Sequence, residues 1–263
     1  MLDACDALDV VRDGVLENPR RCRVDLKALQ CKDNENDQCL TAPQIAGLEK
    51  VYAGARNQRT GARVFPGYMV GGELEWPLWI VGTEVPPRDL QHLIQDTFFK
   101  YLVFENPGWS RQSFDFDKDV AYTDGKLANI LDATNPDLTT FKARGGKLIR
   151  YHGWSDAAIS PLNSVDYFES VQARMGDTGS FYRLFMVPGM GHCAGGEGTD
   201  EFDKIGILAR WVEDGESPNQ IIASRIVAGK VVRTRPLRLY GKVAHWTRSG
   251  STDAAVSFIC AAE

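Results

Sequence analysis

The sequence predicts an α/β fold in which a loop-rich N-terminal part precedes half of a parallel α/β domain. Two short apolar runs, 146–151 and 181–187, have the length and composition of buried strands, and a helical pattern follows each of them. The order strand, helix, strand, helix is typical of a parallel layer with right-handed crossovers. The residues before these runs lack that order, so we predict two domains, 1–125 and 126–263.

The composition is that of a globular protein and argues against two classes of partner. Of the 263 residues, 43% are hydrophobic and 25% are charged, and the formal net charge is -5. An acidic chain lacks the basic face that nucleic-acid binding requires, so we expect no nucleic-acid partner. No run of about 18 apolar residues occurs, so we expect no membrane partner.

The cysteines favour an oxidising compartment. Four of the six, Cys5, Cys22, Cys31 and Cys39, crowd near the N-terminus. Nearest-neighbour pairing would close two short loops, Cys5–Cys22 and Cys31–Cys39, as in many secreted proteins; the alternative is four reduced, buried thiols. Because the residues after Met1 lack the basic and apolar regions of a signal peptide, we expect an export signal to lie on a preceding segment.

Three helices and a turn are predicted in the N-terminal part. The first helix is predicted to begin at Thr41, which can cap it, with Pro43 in its first turn. The apolar residues that follow recur at helical spacing, and the helix is predicted to stop near Gly54. The other elements are helices at 88–99 and 124–133 and a turn at 106–109.

The predicted strands of the C-terminal part are joined by helices. A helix at 165–175 follows the first strand, and a helix at 199–213 follows the second. Residues 220–234 alternate between apolar and polar side chains about Ala228-Gly229-Lys230, which indicates a hairpin.

Both predicted strands lead into residues suited to catalysis. The first is followed by His152 and Asp156, and the second by His192 within a glycine-rich loop. In parallel sheets, functional groups lie just beyond the carboxyl ends of the strands. Aspartate followed by histidine is the second half of the α/β-hydrolase order Ser…Asp…His, in which the imidazole takes the serine proton and the carboxylate fixes the tautomer. The sequence therefore predicts a catalytic pair of Asp156 and His192.

Each member of this pair also has a structural alternative. Asp156 could cap a helix, and His192 could be a loop histidine without a function. His152 is a rival base, but it precedes Asp156 in the same loop, so we assign it a supporting role. The order of the two residues after successive strands favours the catalytic interpretation.

Two segments carry a family resemblance. Residues 151–161, with the sequence YHGWSDAAISP, and residues 187–193, with the sequence VPGMGHC, resemble the tannase/feruloyl esterase family. The similarity extends from Cys5 to Cys260. It implies the C-terminal half of an α/β-hydrolase domain preceded by a loop-rich, calcium-binding lid domain. It also implies hydrolysis of aromatic (galloyl, feruloyl or terephthaloyl) esters through an acyl-enzyme.

The nucleophile that the resemblance implies has no counterpart in this chain. The family carries its serine on a Gly-x-Ser-x-Gly elbow, and the nearest approach is residues 153–157, which fit the acid loop better. We therefore expect the serine on an N-terminal hydrolase segment that would be a partner of this chain. By the same resemblance, Cys193 would pair with a cysteine beside that serine. Cys260 loses its expected partner, because Arg238 stands where the family usually has cysteine.

Three aspartates near the N-terminus suggest a metal site. Asp6, Asp9 and Asp13 are hard oxygen ligands that favour calcium, although a solvated acidic turn fits their spacing equally well. The resemblance implies a structural Ca²⁺ site at Asp6, Asp9, Val11, Asp13 and Val15.

Aromatic side chains are dense between Trp76 and Phe116, where most are expected to form a small core. The resemblance makes this region a lid over the ester. Trp109, Arg111 and Ser113 follow the predicted turn and are the candidate substrate-binding residues.

Two other functions stay open. The chain could be a non-catalytic, calcium-stabilised fragment or binding module. Alternatively, Asp156 itself could attack the substrate, but carboxylate nucleophiles of α/β-hydrolases lie early in the sheet and Asp156 lies late.

Overall fold

The computed structural model describes residues 1–32, 36, 38–84 and 88–263. The N-terminal part contains short helices and one small two-stranded sheet. Residues 55–56 pair antiparallel with residues 63–65, and Phe98–Val103 forms a π-helical turn. The elements in chain order are α1 (Leu2–Cys5), α2 (Ala42–Ala53), β1 (Ala55–Arg56), β2 (Arg63–Phe65), α3 (Leu90–Thr97), α4 (Lys118–Leu131) and α5 (Thr139–Ala143).

Local capping explains where the helices of this part begin. Thr41 and Gln44 form the capping box that opens α2, which ends at Gly54 as predicted. The turn at 106–109 is also confirmed, because Trp109 N–H donates to the Asn106 carbonyl at 3.0 Å. Helix α4 begins at Lys118 instead of 124, because the Asp115 carboxylate accepts N–H groups at the start of the helix. Residue 125, the predicted domain boundary, lies within α4.

The C-terminal part is built on a pair of parallel strands that are joined through an α-helix. Its elements are β3 (Leu148–Gly153), α6 (Pro161–Met175), β4 (Tyr182–Val187), α7 (Lys204–Glu213), β5 (Gln220–Val227), β6 (Lys230–Arg238), β7 (Lys242–Trp246) and β8 (Phe258–Ala262). Strands β3 and β4 are in register from Leu148 opposite Tyr182 to Gly153 opposite Val187. Both strands therefore end at the same edge.

Two antiparallel hairpins complete this part. Strands β5 and β6 form the predicted hairpin, and Leu239 extends it to an antiparallel bridge with Phe185 of β4. The pairing of β7 with β8 was not among the predicted elements. Helix α7 begins at Lys204, not at 199, because Glu201 forms an isolated bridge with Ser224 and Asp203 caps the helix by accepting from Gly206 N–H.

The core lies on both faces of β4, whose side chains alternate. Leu184 and Met186 pack with residues of α6, including Val165, Phe168 and Val171. Phe185 and Val187 of β4 belong to a second cluster. That cluster contains residues of the β5–β6 hairpin, and Ile207 of α7 packs against it. The sheet is therefore covered by helices on both faces, as the predicted α/β class requires.

The cysteine pairing agrees with the predicted short bridges. Disulfides join Cys5 to Cys22 and Cys31 to Cys39, with Cα–Cα distances of 5.5 Å and 4.9 Å. Cys193 and Cys260 are exposed thiols in the described part of the chain. Within the same residues, every helix is too short or too polar to cross a lipid bilayer.

Removing the Phe185 side chain should destabilise the fold strongly. Phe185 of β4 is 0% exposed and packs in one cluster with residues of the β5–β6 hairpin, and truncation of such a residue to alanine costs about 3–5 kcal/mol. Urea unfolding of Phe185→Ala should show this loss, whereas Val256→Ala, at a side chain that is 93% exposed, should change stability by less than about 0.5 kcal/mol. Equal losses in the two variants would contradict the assignment of the core.

Candidate active site

The loops that follow β3 and β4 are joined by backbone hydrogen bonds. Trp154 N–H donates to the Val187 carbonyl at 2.9 Å, and Ser155 N–H donates to the Met190 carbonyl at 3.1 Å. A Cβ at Gly153 would overlap the Met190 carbonyl, so this close approach requires glycine. We call residues 154–160 the acid loop and residues 188–198 the base loop.

Asp156 and His192, which the sequence pairs as acid and base, lie in direct contact. His192 Nδ1 is 2.9 Å from Asp156 Oδ2. Because the carboxylate accepts at this position, Nδ1 carries the proton and Nε2 keeps its lone pair. Asp156 is 4% exposed, whereas the side chain of His192 is 35% exposed. The imidazole can therefore take a proton at Nε2 from a group outside the loop, and the buried carboxylate stabilises the resulting imidazolium.

His152 contacts the same carboxylate but has no nitrogen left for catalysis. Its Nε2 lies 3.0 Å from Asp156 Oδ2 and 3.2 Å from the Ile159 carbonyl, two acceptors that require a proton on this nitrogen. Its Nδ1 lies 2.6 Å from the Ser164 hydroxyl, which can donate to it. A neutral His152 satisfies all three contacts, so it orients Asp156 in the way the sequence suggests.

The hydrogen bonds of Asp156 outweigh the cost of its burial. Burial raises the pKa of this carboxyl, but bonds from His152, the Ile159 N–H and His192 lower it, and the net pKa lies below its usual value. Its second oxygen, Oδ1, accepts from the Ala158 and Ile159 N–H groups, each at 2.8 Å. With both oxygens engaged, Asp156 is poorly placed to act as a nucleophile itself.

The base loop turns sharply around His192. Gly189 has a φ of 69°, and its carbonyl accepts from Gly198 N–H at 3.0 Å. Cys193 follows His192 with a φ of 65°, a left-handed conformation that is uncommon for a residue with a side chain. Gly195 and Gly196 also have positive φ, and the Cys193 thiol lies at the surface.

The N-terminal part packs against both loops, through contacts that the sequence does not predict. The Ser160 hydroxyl donates to the Gly67 carbonyl at 2.6 Å, and the Tyr68 hydroxyl donates to the Ala158 carbonyl at 3.1 Å. The ring of Trp79 lies edge-on to the His192 imidazole, with 5.1 Å between the centroids. The only signal in the sequence is the aromatic richness of this region, which does not indicate which ring reaches the site.

The candidate substrate-binding residues occupy a different cluster. Trp109 packs against Phe99 and Phe104, with centroid distances of 5.2 Å and 5.6 Å. Arg111 bonds to the His92 ring, and the Ser113 hydroxyl donates to the Ser110 carbonyl at 2.7 Å. All of these contacts lie within the N-terminal part. The contacts of Trp109 are those of a residue in the small aromatic core that the sequence predicts for most aromatic residues of this region.

The candidate calcium ligands lie close together around the turn at Gly14. Asp6 accepts from Gly14 N–H, Asp9 from Val11 N–H and Asp13 from Val15 N–H, at 3.0, 3.0 and 3.2 Å. Asp13 also forms ion pairs with two arginines of β6. Four of the five candidates line one small cavity together with Glu17; they are Asp9, Val11, Asp13 and Val15.

Two carboxyl groups that line this cavity have raised pKa values. Burial raises the pKa of Glu17 to about 7, although the Ala244 N–H and Arg235 oppose the rise. Burial also raises the pKa of Asp9, and the nearby charges of Asp13 and Asp6 add to it. Among the described residues, no three His, Cys, Asp or Glu side chains are arranged closely enough to hold a metal by themselves. A cation here would also need backbone carbonyl ligands.

Comparisons with known proteins agree on one family. The family model described as "Tannase and feruloyl esterase" matches residues 1–261. An uncharacterised esterase of Xanthomonas campestris pv. campestris is 38% identical, over 98% of this chain and 53% of that protein. Mono(2-hydroxyethyl) terephthalate hydrolase of Piscinibacter sakaiensis is 34% identical, over 100% of this chain and 50% of that protein.

A solved structure supports the same grouping. The crystal structure of feruloyl esterase B from Aspergillus oryzae has a TM-score of 0.86 at 26% identity, over 99% of this chain and 54% of that chain. The predicted α/β-hydrolase-type fold is therefore confirmed. The chain spans about half the length of the relatives that it matches.

The contribution of Asp156 to stability should disappear at low pH. A carboxyl with a depressed folded pKa stabilises the fold fully above its unfolded pKa, about 3.9, and loses that effect as the pH falls through the folded pKa. Asp156→Asn should therefore lower the free energy of unfolding by about 2 kcal/mol at pH 7. In urea unfolding curves, the difference from the unsubstituted chain should shrink as the pH falls below the unfolded pKa and through the lower folded pKa.

A surface carboxylate provides the control for this measurement. Asp214 is exposed at the end of α7, and Asp214→Asn should change little at any pH. A difference for Asp156→Asn that stays constant down to low pH would contradict the role given to its charge.

Proposed function

Because the chain belongs to the tannase and feruloyl esterase family, we propose that it supplies the acid and base of a Ser-His-Asp carboxylic ester hydrolase. The observation that carries this proposal is the 2.9 Å contact between His192 Nδ1 and Asp156 Oδ2, which leaves His192 Nε2 open to a hydroxyl. The substrate class that the family suggests is an aromatic ester with a galloyl, feruloyl or terephthaloyl group.

In the proposed reaction, His192 Nε2 takes the proton of a serine hydroxyl as the serine oxygen bonds to the ester carbonyl carbon. The proton then passes to the departing alcohol as its bond to the carbonyl breaks, leaving an acyl-enzyme. A water molecule then gives a proton to the same nitrogen as its oxygen bonds to the acyl carbon. The bond to the serine oxygen breaks, the serine regains its proton from the imidazole, and the carboxylic acid is released. Asp156 stabilises the imidazolium in both halves, and His152 holds Asp156 in place.

The nucleophile is proposed to come from an N-terminal hydrolase segment outside the 263 residues. Two observations support this: the sequence has no Gly-x-Ser-x-Gly elbow, and the chain spans about half the length of its relatives. The surface thiol of Cys193, next to His192, is available to pair with a cysteine of that segment. A non-catalytic binding module, the second candidate, rests on the same missing serine.

We propose that residues 1–125 form the lid over the ester. The contacts from Gly67, Tyr68 and Trp79 to the catalytic loops support this, because they place an aromatic ring beside the proposed base. Trp79 is a stronger candidate for contact with the acyl ring than the sequence candidates. Trp109, Arg111 and Ser113 remain proposals for the outer part of the substrate.

We propose calcium as the structural cofactor of the N-terminal turn. Hard oxygen donors line the cavity beside Arg235: they are the carboxylates of Asp9 and Asp13 and the backbone of Val11 and Val15. Bound calcium would stabilise the ionised form of these buried carboxylates. Asp6, which bonds to Gly14, is the fifth proposed ligand.

The compartment proposed for the protein is extracellular or periplasmic. The two disulfides near the N-terminus support an oxidising environment.

Supplying the missing segment should produce an esterase that depends on His192. A chimera that places the upstream part of the Xanthomonas campestris esterase before Met1 should hydrolyse aryl esters and react with a fluorophosphonate probe. The chain alone should give no adduct by intact mass. His192→Ala should abolish both activities, and Asp156→Asn should lower kcat by up to about 10⁴-fold.

The matched control is His245→Ala, an exposed histidine of β7, which should leave hydrolysis unchanged. Hydrolysis that survives His192→Ala would refute the proposed base. A folded chimera that binds aromatic esters without turnover would favour the binding module.

Calcium should stabilise the chain, and more strongly at higher pH. At a concentration of 100 times Kd, binding to the folded state alone adds about 2.7 kcal/mol. Because Glu17 has a pKa of about 7 and must lose its proton near the cation, the rise in Tm should be larger at pH 8 than at pH 6.

Two comparisons make this test specific. Asp9→Asn should remove the stabilisation, whereas Asp3→Asn, at an exposed carboxylate of the same region, should retain it. An equal response to magnesium, or no response to either ion, would refute a calcium site.

A further inference from the structure

One segment of the N-terminal part, residues 72–79, contacts both the acid loop and the base loop. Gly72 lies so close to the acid loop that a Cβ there would be 2.8 Å from the Ser155 carbonyl oxygen. At its other end, the ring of Trp79 packs against the ring of His192. Between these contacts lies Glu75, which contacts the base loop.

Glu75 occupies a space that the sequence keeps open at Gly191. All three atoms nearest to a Cβ built on Gly191 belong to the Glu75 carboxyl group, and that Cβ would overlap them. Gly191 does not have a positive φ, so glycine is required here for space and not for backbone conformation. The His192 backbone N–H lowers the pKa of the same carboxyl, as a donor that faces it would.

The carboxyl group is an unfavourable choice for packing alone. Its Oε2 is buried without a hydrogen-bond partner among the described residues, and an orphaned buried oxygen costs free energy. Burial raises the pKa of Glu75, the His192 N–H opposes the rise, and the charge of Asp156 adds to it. A residue with these costs is better explained by its contact with the base loop.

We propose that Glu75 is a positioning residue, whose carboxyl group sits over Gly191, accepts the His192 N–H and holds the imidazole against Asp156. The geometry stands by itself, and its consequence for catalysis rests on the proposed function. A lid residue would thereby set the orientation of the base.

Nuclear magnetic resonance of the full 263-residue chain tests the geometry without any activity. The two signals are the exchange rate of the His192 backbone amide and the downfield Nδ1–H resonance of the bond to Asp156, identified by its loss in His192→Gln. In Glu75→Ala, amide exchange should become about tenfold faster, as expected for loss of one hydrogen bond, and the Nδ1–H resonance should broaden or vanish. Glu75→Gln, which keeps an acceptor oxygen and the volume, should retain most of both signals.

Glu73 provides the matched control in the same turn. Its carboxylate accepts from Tyr52 and from Gly71 N–H, so Glu73→Gln alters this turn without touching the base loop. Both His192 signals should persist in this variant. Their persistence in Glu75→Ala as well, or their loss in Glu73→Gln, would overturn the proposal.

A double-mutant cycle tests the contact at Gly191 directly. Gly191→Ala should disturb the His192 signals, because its methyl group displaces the Glu75 carboxyl. Gly191→Ala combined with Glu75→Ala should disturb the signals no more than Glu75→Ala alone, since the carboxyl group that the methyl group displaces is already gone. Additive effects would show that the two residues do not share this space, and would overturn the proposal.

Kinetics in the active chimera separate this inference from the proposed function. There, Glu75→Ala should lower kcat by up to about a hundredfold with KM nearly unchanged, because the base is misplaced and the substrate contacts remain. A rise in KM alone would overturn the positioning role. If the chimera is inactive, the proposed function fails, and the resonance measurements still decide the role of Glu75.

Discussion

The parallel register of β3 against β4 determines where the groups of the candidate site lie. Gly153 pairs with Val187, so the two strands end together and the acid and base loops begin about one strand spacing, ~4.8 Å, apart. The backbone bonds from Trp154 and Ser155 then fix one loop on the other. A slip of one residue would exchange the faces of β4, moving Phe185 out of its cluster, so the core that stabilises the sheet also fixes the distance from Asp156 to His192.

Buried carboxylates are compensated very differently in the two parts of the chain. Asp156 accepts from two imidazoles and two backbone N–H groups, and its pKa falls despite burial. Glu17 accepts from one backbone N–H, that of Ala244, and its pKa rises to about 7. The first arrangement keeps a negative charge beside His192 at neutral pH. The second gathers the carboxyl groups of Asp9, Asp13 and Glu17 around a cavity that Arg235 also lines, and this surplus of carboxyl groups is the reason for proposing a cation at the N-terminal turn and none at the catalytic pair.

Local patterns explain which features could be predicted from the sequence. The strands β3 and β4, helix α2 with its capping box and the succession of Asp156 and His192 depend on neighbouring residues, and each is visible in a short window of sequence. The start of α7 was predicted too early, because the bridge from Glu201 to Ser224 joins residues far apart in the chain.

Contacts between distant segments could not be predicted for the same reason. Ser164, Trp79 and Glu75 reach the site through tertiary packing, and nothing in their own surroundings in the sequence distinguishes them from other polar or aromatic residues. Trp109, a candidate for substrate binding because it follows a turn, packs against Phe99 and Phe104, two contacts that the sequence does not single out.

Residues 72–79 carry both Trp79, which packs against His192, and Glu75, which lies against Gly191. Under the proposed function, a substrate ring that packs against Trp79 would press on the same segment that positions His192. Binding energy from a remote part of the substrate could then be expressed at the base and not only in substrate affinity, which is the condition for raising kcat. A poorly fitting ester would leave the segment, and therefore the imidazole, less well held. The fold thus allows the acyl group to affect the orientation of His192 without touching Asp156, whose four hydrogen bonds come entirely from the C-terminal part.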